Sequence, residues 1–415
     1  MKDGRSNPPV VSNTRRMDRW LPTVALLAGA CGFKATVTPN GQVADAAIDG
    51  PPLVVDGVAH VATADEAVGD ADLTISSAIS IDTDALTLGI TLPAGVTFAM
   101  APQDGGGPDL AILHVRTLDV EAPVTAHGSR PLVVIADTIL VSKDIDVGAH
   151  LGAAGPGAQT SGPGVGGLGV HVAPYTDSGG GGGGYSSAGG VGGDVTCVGT
   201  GCPASGVVSG GAAGAGYNGS AAMLIGGSSG GRPFEPSSSA CIRAPGGGGG
   251  AIELYARTRI SVAANINAGG GGGAGGIGTI SSSCGNNYLA GYGGGSGGAI
   301  VLQSPVIDIS GRVSANGGGG GGGGGEAAGL RVDGGAGADG ASGSTVASGG
   351  TAPIIYGSVG GPGGAGNTGP GGGARAPASG NGGGGGGAYG QIVLLYQTTP
   401  AVTGVISPIA IMKNY

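Results

Sequence analysis

Five uninterrupted glycine runs, at 179–184, 246–250, 269–273, 317–325 and 382–387, set the terms on which this chain can fold. A glycine run has no side chain to bury and loses more conformational freedom on ordering than any other sequence. It can stay a flexible loop, or it can be held backbone to backbone. The second outcome suits extended polyglycine II helices, which have three residues per turn and no internal hydrogen bonds. Laid side by side, such helices satisfy each other's amides, which a buried loop would leave unpaired. The purity of the runs and their recurrence beside strand-like segments favour the ordered bundle. Glycine supplies 101 of 415 residues, but in runs rather than at every third position, which excludes collagen. Heptads are absent, so a coiled coil is excluded too. A formal charge of −9 argues against a nucleic-acid partner.

The segments between the runs read as short strands. Leu73–Ile75, Leu86–Ile90 and Val96–Phe98 alternate apolar and small polar residues, the period-2 mark of half-buried strands. A three-strand unit then recurs. It reads Leu113–Val115, Leu118–Val120, Val124–Ala126, and about 20 residues later Leu132–Val134, Ile139–Val141, Ile145–Val147. It returns at Ile252–Leu254, Ile260–Val262 and Ile266–Ala268, and at Ile300–Leu302, Ile307–Ile309 and Val313–Ala315, with a half-copy at Ile392–Leu394. Each unit reads as one coil that must stack on others to bury its apolar face. The expected fold is all-β: a right-handed parallel β-helix, or solenoid, with long Gly-rich insertions.

The N-terminus reads as an export signal over residues 1–31. Lys2, Arg5, Arg15, Arg16 and Arg19 precede an apolar stretch, Leu21–Ala30, that ends at Cys31. Ten residues span about half a bilayer core as a helix, too short to remain as an anchor. The string Leu26–Gly32 (LLAGACG) resembles a bacterial lipobox, which implies lipidation of Cys31. Ala28 stands where that pattern usually has Leu, and Ala28-Gly29-Ala30 also fits ordinary cleavage. Met17 offers an alternative start. Residues 32–55 read as a flexible tether, 56–150 as acidic coils, 151–396 as Gly-rich coils, and 397–415 as a C-terminal cap or tail.

Without Cys31 four cysteines remain: Cys197, Cys202, Cys241 and Cys284. In an exported chain an even number favours disulfides over metal ligation. Cys197 and Cys202 can close a local loop, leaving Cys241 with Cys284, but three connectivities stay open.

Catalytic motifs largely dissolve against this composition. With glycine so frequent, G-x-G-x-x-G matches arise by chance, and none opens a helix after a strand. Gly294–Gly298 matches a nucleophile elbow around Ser296 without the strand–helix alternation that the elbow needs. No lysine after the signal follows glycine, which excludes a phosphate loop. Asp339 sits in one degenerate copy of a calcium nonapeptide that works only in tandem. Sugar-cleaving enzymes need carboxylates on one face. The candidates are Asp82 with Asp84, Asp137, and Asp144 with Asp146, for which a solvated surface is the bland alternative. Nine of the ten tyrosines, all but Tyr415, lie in or beside Gly-rich segments and are candidate sugar platforms or packing wedges.

Residues 128–141 (GSRPLVVIADTILV) and 297–302 (GGAIVL) resemble Gly-rich secreted lipoproteins common in myxobacteria and related lineages. The resemblance covers roughly residues 110–395. It implies a right-handed β-helix with Gly-rich insertions and is nearly silent on activity. Through the glycine runs alone the chain is also similar to Gly-rich phage adhesins and insect antifreeze proteins. The expectation is a non-catalytic structural or adhesive lipoprotein at the outer membrane or cell surface. It would need no cofactor, metal or nucleic acid, and its partner would be a polysaccharide or another surface component. A polysaccharide-active enzyme and an ice- or surface-binding protein are the alternatives.

Overall fold

A computed structural model describes residues 57–415 except 104–105, 173–175, 199–200, 218–222, 235–242, 279–288 and 378–379. The signal, Cys31 and the tether therefore lie outside the described residues. Leu53–Tyr415 forms one compact unit.

The described residues form mostly parallel sheets with almost no helix; the one helical turn is Thr63–Asp65. No helix among them is long and apolar enough to cross a membrane. An eleven-stranded sheet contains, in lateral order, Leu73–Ile75, Thr117–Val120, Leu132–Val141, Ala251–Val262, Ala299–Gln303, Gln391–Tyr396 and Ile411–Asn414. A six-stranded sheet orders Ile79–Asp82, Val124–His127, Ile145–Asp146, Asn265–Asn267, Arg312–Ser314 and Val405–Ser407. All the neighbours named here are parallel.

This arrangement corrects the expected right-handed β-helix solenoid of three-strand coils. Two of the three expected strands fuse in Leu132–Val141 and again in Ala251–Val262, each a single strand of the large sheet. The reason is local. The linkers Ile135–Thr138 and Tyr255–Arg259 contain no Gly, Pro or Asn to turn the chain, so the strand runs on, with only a register shift between Ala256 and Arg259. Ser304-Pro305 does break the next copy. The winding of about 20 residues holds for one step only: Leu118 pairs with Ile139 and Val124 with Ile145, whereas Leu132–Val141 pairs with Ala251–Val262 across more than a hundred residues of intervening chain. The large sheet further contains an antiparallel pair, Thr97–Ala101 with Leu110–His114.

The core lies between the two sheets. In-register columns supply it: Leu113, Val134, Leu254, Leu302 and Leu394 form one, and Val120, Val141, Val262 and Ile309 another. Val124, Ile145, Ile266 and Val313 of the small sheet face them. Fully burying each such side chain contributes about 1.5–3 kcal/mol. A second apolar cluster covers the outer face of the large sheet, where Ile112, Val133, Ile135, Val301 and Leu395 pack against Val58, Val61, Tyr185 and Leu224.

The glycine runs continue the strands beyond this core. Run 246–250 leads into Ala251–Val262, and run 317–325 begins just after Arg312–Ser314. Their hydrogen bonds repeat every three residues. Gly317, Gly320 and Gly323 donate to Gly364, Gly361 and Ser358; Gly318, Gly321 and Gly324 donate to Gly295, Tyr292 and Leu289; Gly319 and Gly322 donate to Ala338 and Gly335. Residues 384–387, residues 273–276 and Gly350 donate back to the same run, so it has six neighbouring segments. Run 382–387 is bonded in the same manner, to segments 177–183, 318–321, 371–374, 291–297, 190–193 and 361–364. No glycine within these two runs has a positive φ. A Cβ built on Gly321 would overlap the carbonyl of Ala274, and one on Gly384 the carbonyl of Tyr292. No residue but glycine fits there.

Array order follows sheet order. Gly246 and Gly249 donate to Gly293 and Ser296, which precede the adjacent strand; Gly291, Gly294 and Gly297 donate to Gly382, Gly385 and Ala388, which precede the next. Tyr292, Gly295 and Gly298 donate to Ala274, Gly271 and Ala268, the extension of the opposite sheet. Two layers that side chains hold apart in the core thus bond directly once side chains are gone.

Candidate functional site

The five candidate carboxylates are each engaged by the protein itself. Asp82 accepts from the Asp84 and Ala85 amides at 2.8 and 2.9 Å, and these bonds hold its carboxyl below the usual range. Asp84 accepts from the Ser129 amide and hydroxyl and pairs with Arg130. Asp137 pairs with Arg257 Nε at 2.5 Å. Asp144 accepts from the Asn265 amide at 3.0 Å. Asp146 accepts from Asn267 Nδ2 at 3.0 Å and Gly148 N at 2.8 Å, and pairs with His150. Asp146 and Asn267 are in-register neighbours, so the carboxylate belongs to a polar ladder on the small sheet.

The other singled-out residues are similarly occupied. Ser296 is buried in the array and its hydroxyl accepts from the Ser228 amide at 2.8 Å. Asp339 accepts from Leu151 and Gly272 amides at 2.8 Å each, tying two array segments together. Cys197 and Cys202 form a disulfide; Cys241 and Cys284 lie outside the described residues. Tyr185 and Tyr217 meet edge to face at 5.0 Å, and their hydroxyls donate to the Ile225 and Gly226 carbonyls. Burial pushes the Tyr217 hydroxyl up to about 12. These two are packing wedges, and none of the seven described tyrosines among the nine is exposed; Tyr175 and Tyr288 lie outside the described residues.

Sequence reasoning missed two histidine–carboxylate pairs. His60 Nδ1 lies 2.7 Å from Glu253 Oε2, across 193 positions of sequence. Glu253 is wholly buried between Val133 and Val301 on neighbouring strands, and its Oε1 has no partner. Gln303 fastens the same N-terminal segment, accepting from Ala59 N and donating to Gly57 O. Beside this latch lies a cavity of about 40 Å³ lined by His60, Tyr185, Leu224, Val301, Leu395 and Lys413, with room for about three waters. Its lining sets His60, Gln391 and Lys413 among apolar side chains. Glu253 was visible as a charge in an otherwise apolar strand (AIELYA), but nothing local named its partner.

The second pair is His171 with Asp177, at the entry to run 179–184. Burial pushes the Asp177 carboxyl up, and the bond to Asp177 pushes the His171 imidazole up. The His171 ring stacks on Phe234 at 4.9 Å. The backbone carbonyl of Asp177 accepts from Gly382 N, so the pair anchors one run to another. Among the described residues no group of three or more His, Cys, Asp or Glu could hold a metal ion. No protein-family model, curated protein or solved structure matches the chain.

Proposed function

We propose that this protein is an exported, non-catalytic module of the cell surface, structural or adhesive, held to a membrane by lipid at Cys31. The observation that carries the reading is how the polar groups are used. Asp82, Asp84, Asp137, Asp144, Asp146 and Asp339 all serve as hydrogen-bond acceptors or ion-pair partners within the scaffold. A catalytic carboxylate must instead present itself to substrate with a pKa matched to its task. The glycine array adds rigidity without functional side chains, which suits a spacer or platform. The LLAGAC string and the resemblance to Gly-rich myxobacterial lipoproteins support export and anchoring.

The test sets purified protein on acidic and neutral polysaccharides and records bound protein and new chain ends together. Retention without new ends is expected. New reducing or unsaturated ends at a catalytic rate, abolished by Asp144→Asn or Asp146→Asn, would overturn the non-catalytic reading. For the anchor, Cys31→Ser is expected to move the protein from the membrane fraction to the soluble fraction; unchanged fractionation would refute lipidation.

A further inference from the structure

The two ends of the strand stack are finished differently. At the N-terminal end the core columns close on Leu73, Ile75 and Ile79, exposed by only 2%, 2% and 8%. They are covered by segment 83–96, whose Leu88 and Val96 are buried in the same cluster, with Ile90 and Leu92 packed against it. At the C-terminal end the same columns stop without a cover among the described residues. Val402 follows Ile309 in register and is 40% exposed; Met412 follows Leu394 and is 46% exposed. Ile409, in the turn between the last two strands, is 67% exposed. Among the described residues the last strand, Ile411–Asn414, also has no neighbour on its outer side in the large sheet. An open, apolar edge invites pairing with another strand unless charge or cover blocks it.

Charge indicates what fits. Residues 397–415 carry no acidic side chain and one basic one, Lys413. The opposite end carries Asp70, Asp72, Asp82 and Asp84, of which Asp72 pairs with Arg116 and Asp84 with Arg130. Two N-terminal ends would repel each other. An N-terminal end offers the C-terminal end a covered core and a wall of carboxylates, against which burying Met412 and Ile409 gains nothing. A second C-terminal end offers an apolar patch free of acidic groups and an open edge strand whose one charge is Lys413.

We propose that this C-terminal edge is an interface that takes a second copy of the chain, tail to tail about a two-fold axis. The Ile411–Asn414 strands pair antiparallel, and Val402, Ile409 and Met412 close over their counterparts. Such a contact is isologous and self-limiting, so it yields a dimer and not a filament.

Sedimentation of the purified full-length chain is expected to give twice the mass of one chain at micromolar concentration. The double variant Ile409→Lys with Met412→Lys is expected to give the single-chain mass with an unchanged thermal transition. Ile354→Lys, at a 91%-exposed apolar site on the glycine array, serves as the control and is expected to remain dimeric. A single-chain mass for the unaltered protein at all concentrations would overturn the proposal, since some other segment or partner must then cover the edge. So would a dimer indifferent to the double variant. Open-ended growth sensitive to salt and to Asp70→Asn with Asp72→Asn would overturn it in favour of head-to-tail contact.

Discussion

The strand stack and the glycine array solve one problem in opposite ways. Both must satisfy every buried amide. In the stack each interior strand bonds to a neighbour on either side, and side chains such as Leu254 and Ile266 fill the gap between layers. In the array a run such as 317–324 bonds to six neighbours, and nothing separates them. The stack gains from burying apolar surface. The array has none to bury and depends on backbone hydrogen bonds, with carbonyls close against Cα hydrogens as a weaker supplement. The lesson is that tolerance follows from what fills the space. A core of side chains can repack; an array of backbones has no atom that can yield.

Phase gives the sharpest way to break that comparison. One glycine inserted between Gly320 and Gly321 rotates the following residues by a third of a turn and misaims their bonds to Tyr292, Gly335, Ser358 and Leu289. At about 1 kcal/mol per bond the loss is several kcal/mol, read as a large drop in the thermal transition. Three inserted glycines restore the phase and are expected to cost much less; equal losses would refute the three-residue period.

Substitution comes next in size. Leu254→Ala is expected to cost about 2–5 kcal/mol, whereas the volume-conserving Leu254→Met costs less than about 1.5 kcal/mol. Gly384→Ala adds one methyl against the Tyr292 carbonyl and is expected to cost about 3 kcal/mol, the upper end for overpacking. Chemical denaturation of the three variants checks the ranking. If Gly384→Ala proves milder than Leu254→Met, the array yields more than its geometry allows.

Two pH effects are smaller. The His171 imidazole is raised above its ordinary 6.5, so its bond to Asp177 stabilises the fold fully below that pH. The contribution fades as pH climbs through the raised value. His171→Gln is therefore expected to differ most from the unaltered protein at pH 6 and least in alkali, in paired melting curves. Asp72, beside Arg116, is lowered to about 2 and lies at the surface, so its contribution is slight. It is present above the usual carboxylate range and lost as pH falls from about 4 to about 2. Asp72→Asn is expected to flatten only that acid limb.

Much of the strand content was legible because it is local. Period-2 alternation marks Leu132–Val134, Ile260–Val262 and Val313–Ala315 wherever they end up. The purity of the runs likewise required either disorder or backbone pairing. The three-strand coil was not legible correctly, because fusion at Ile135–Thr138 depended on the absence of a turn signal, which is weaker evidence than its presence. Of the candidate site, the aspartates could be named but not their engagement. Asp146 is occupied by Asn267 through a strand register set more than a hundred residues apart, and Glu253 by His60 from a turn packed on the outer face of the sheet.

The sequence alone thus determined most of the strands, with Leu86–Ile90 an exception, that the glycine runs must either stay loose or pair backbone to backbone, and that a local bridge between Cys197 and Cys202 was available. Only the tertiary structure decided which run lies against which. Identical runs of glycine carry no label for a partner. Their neighbours are assigned by the strands they extend, whose columns of Leu, Ile and Val fix both lateral order and register. The same strands decide that the layers meet backbone to backbone once the side chains end, because hydrogen bonds unmade inside that space would cost more than closing it.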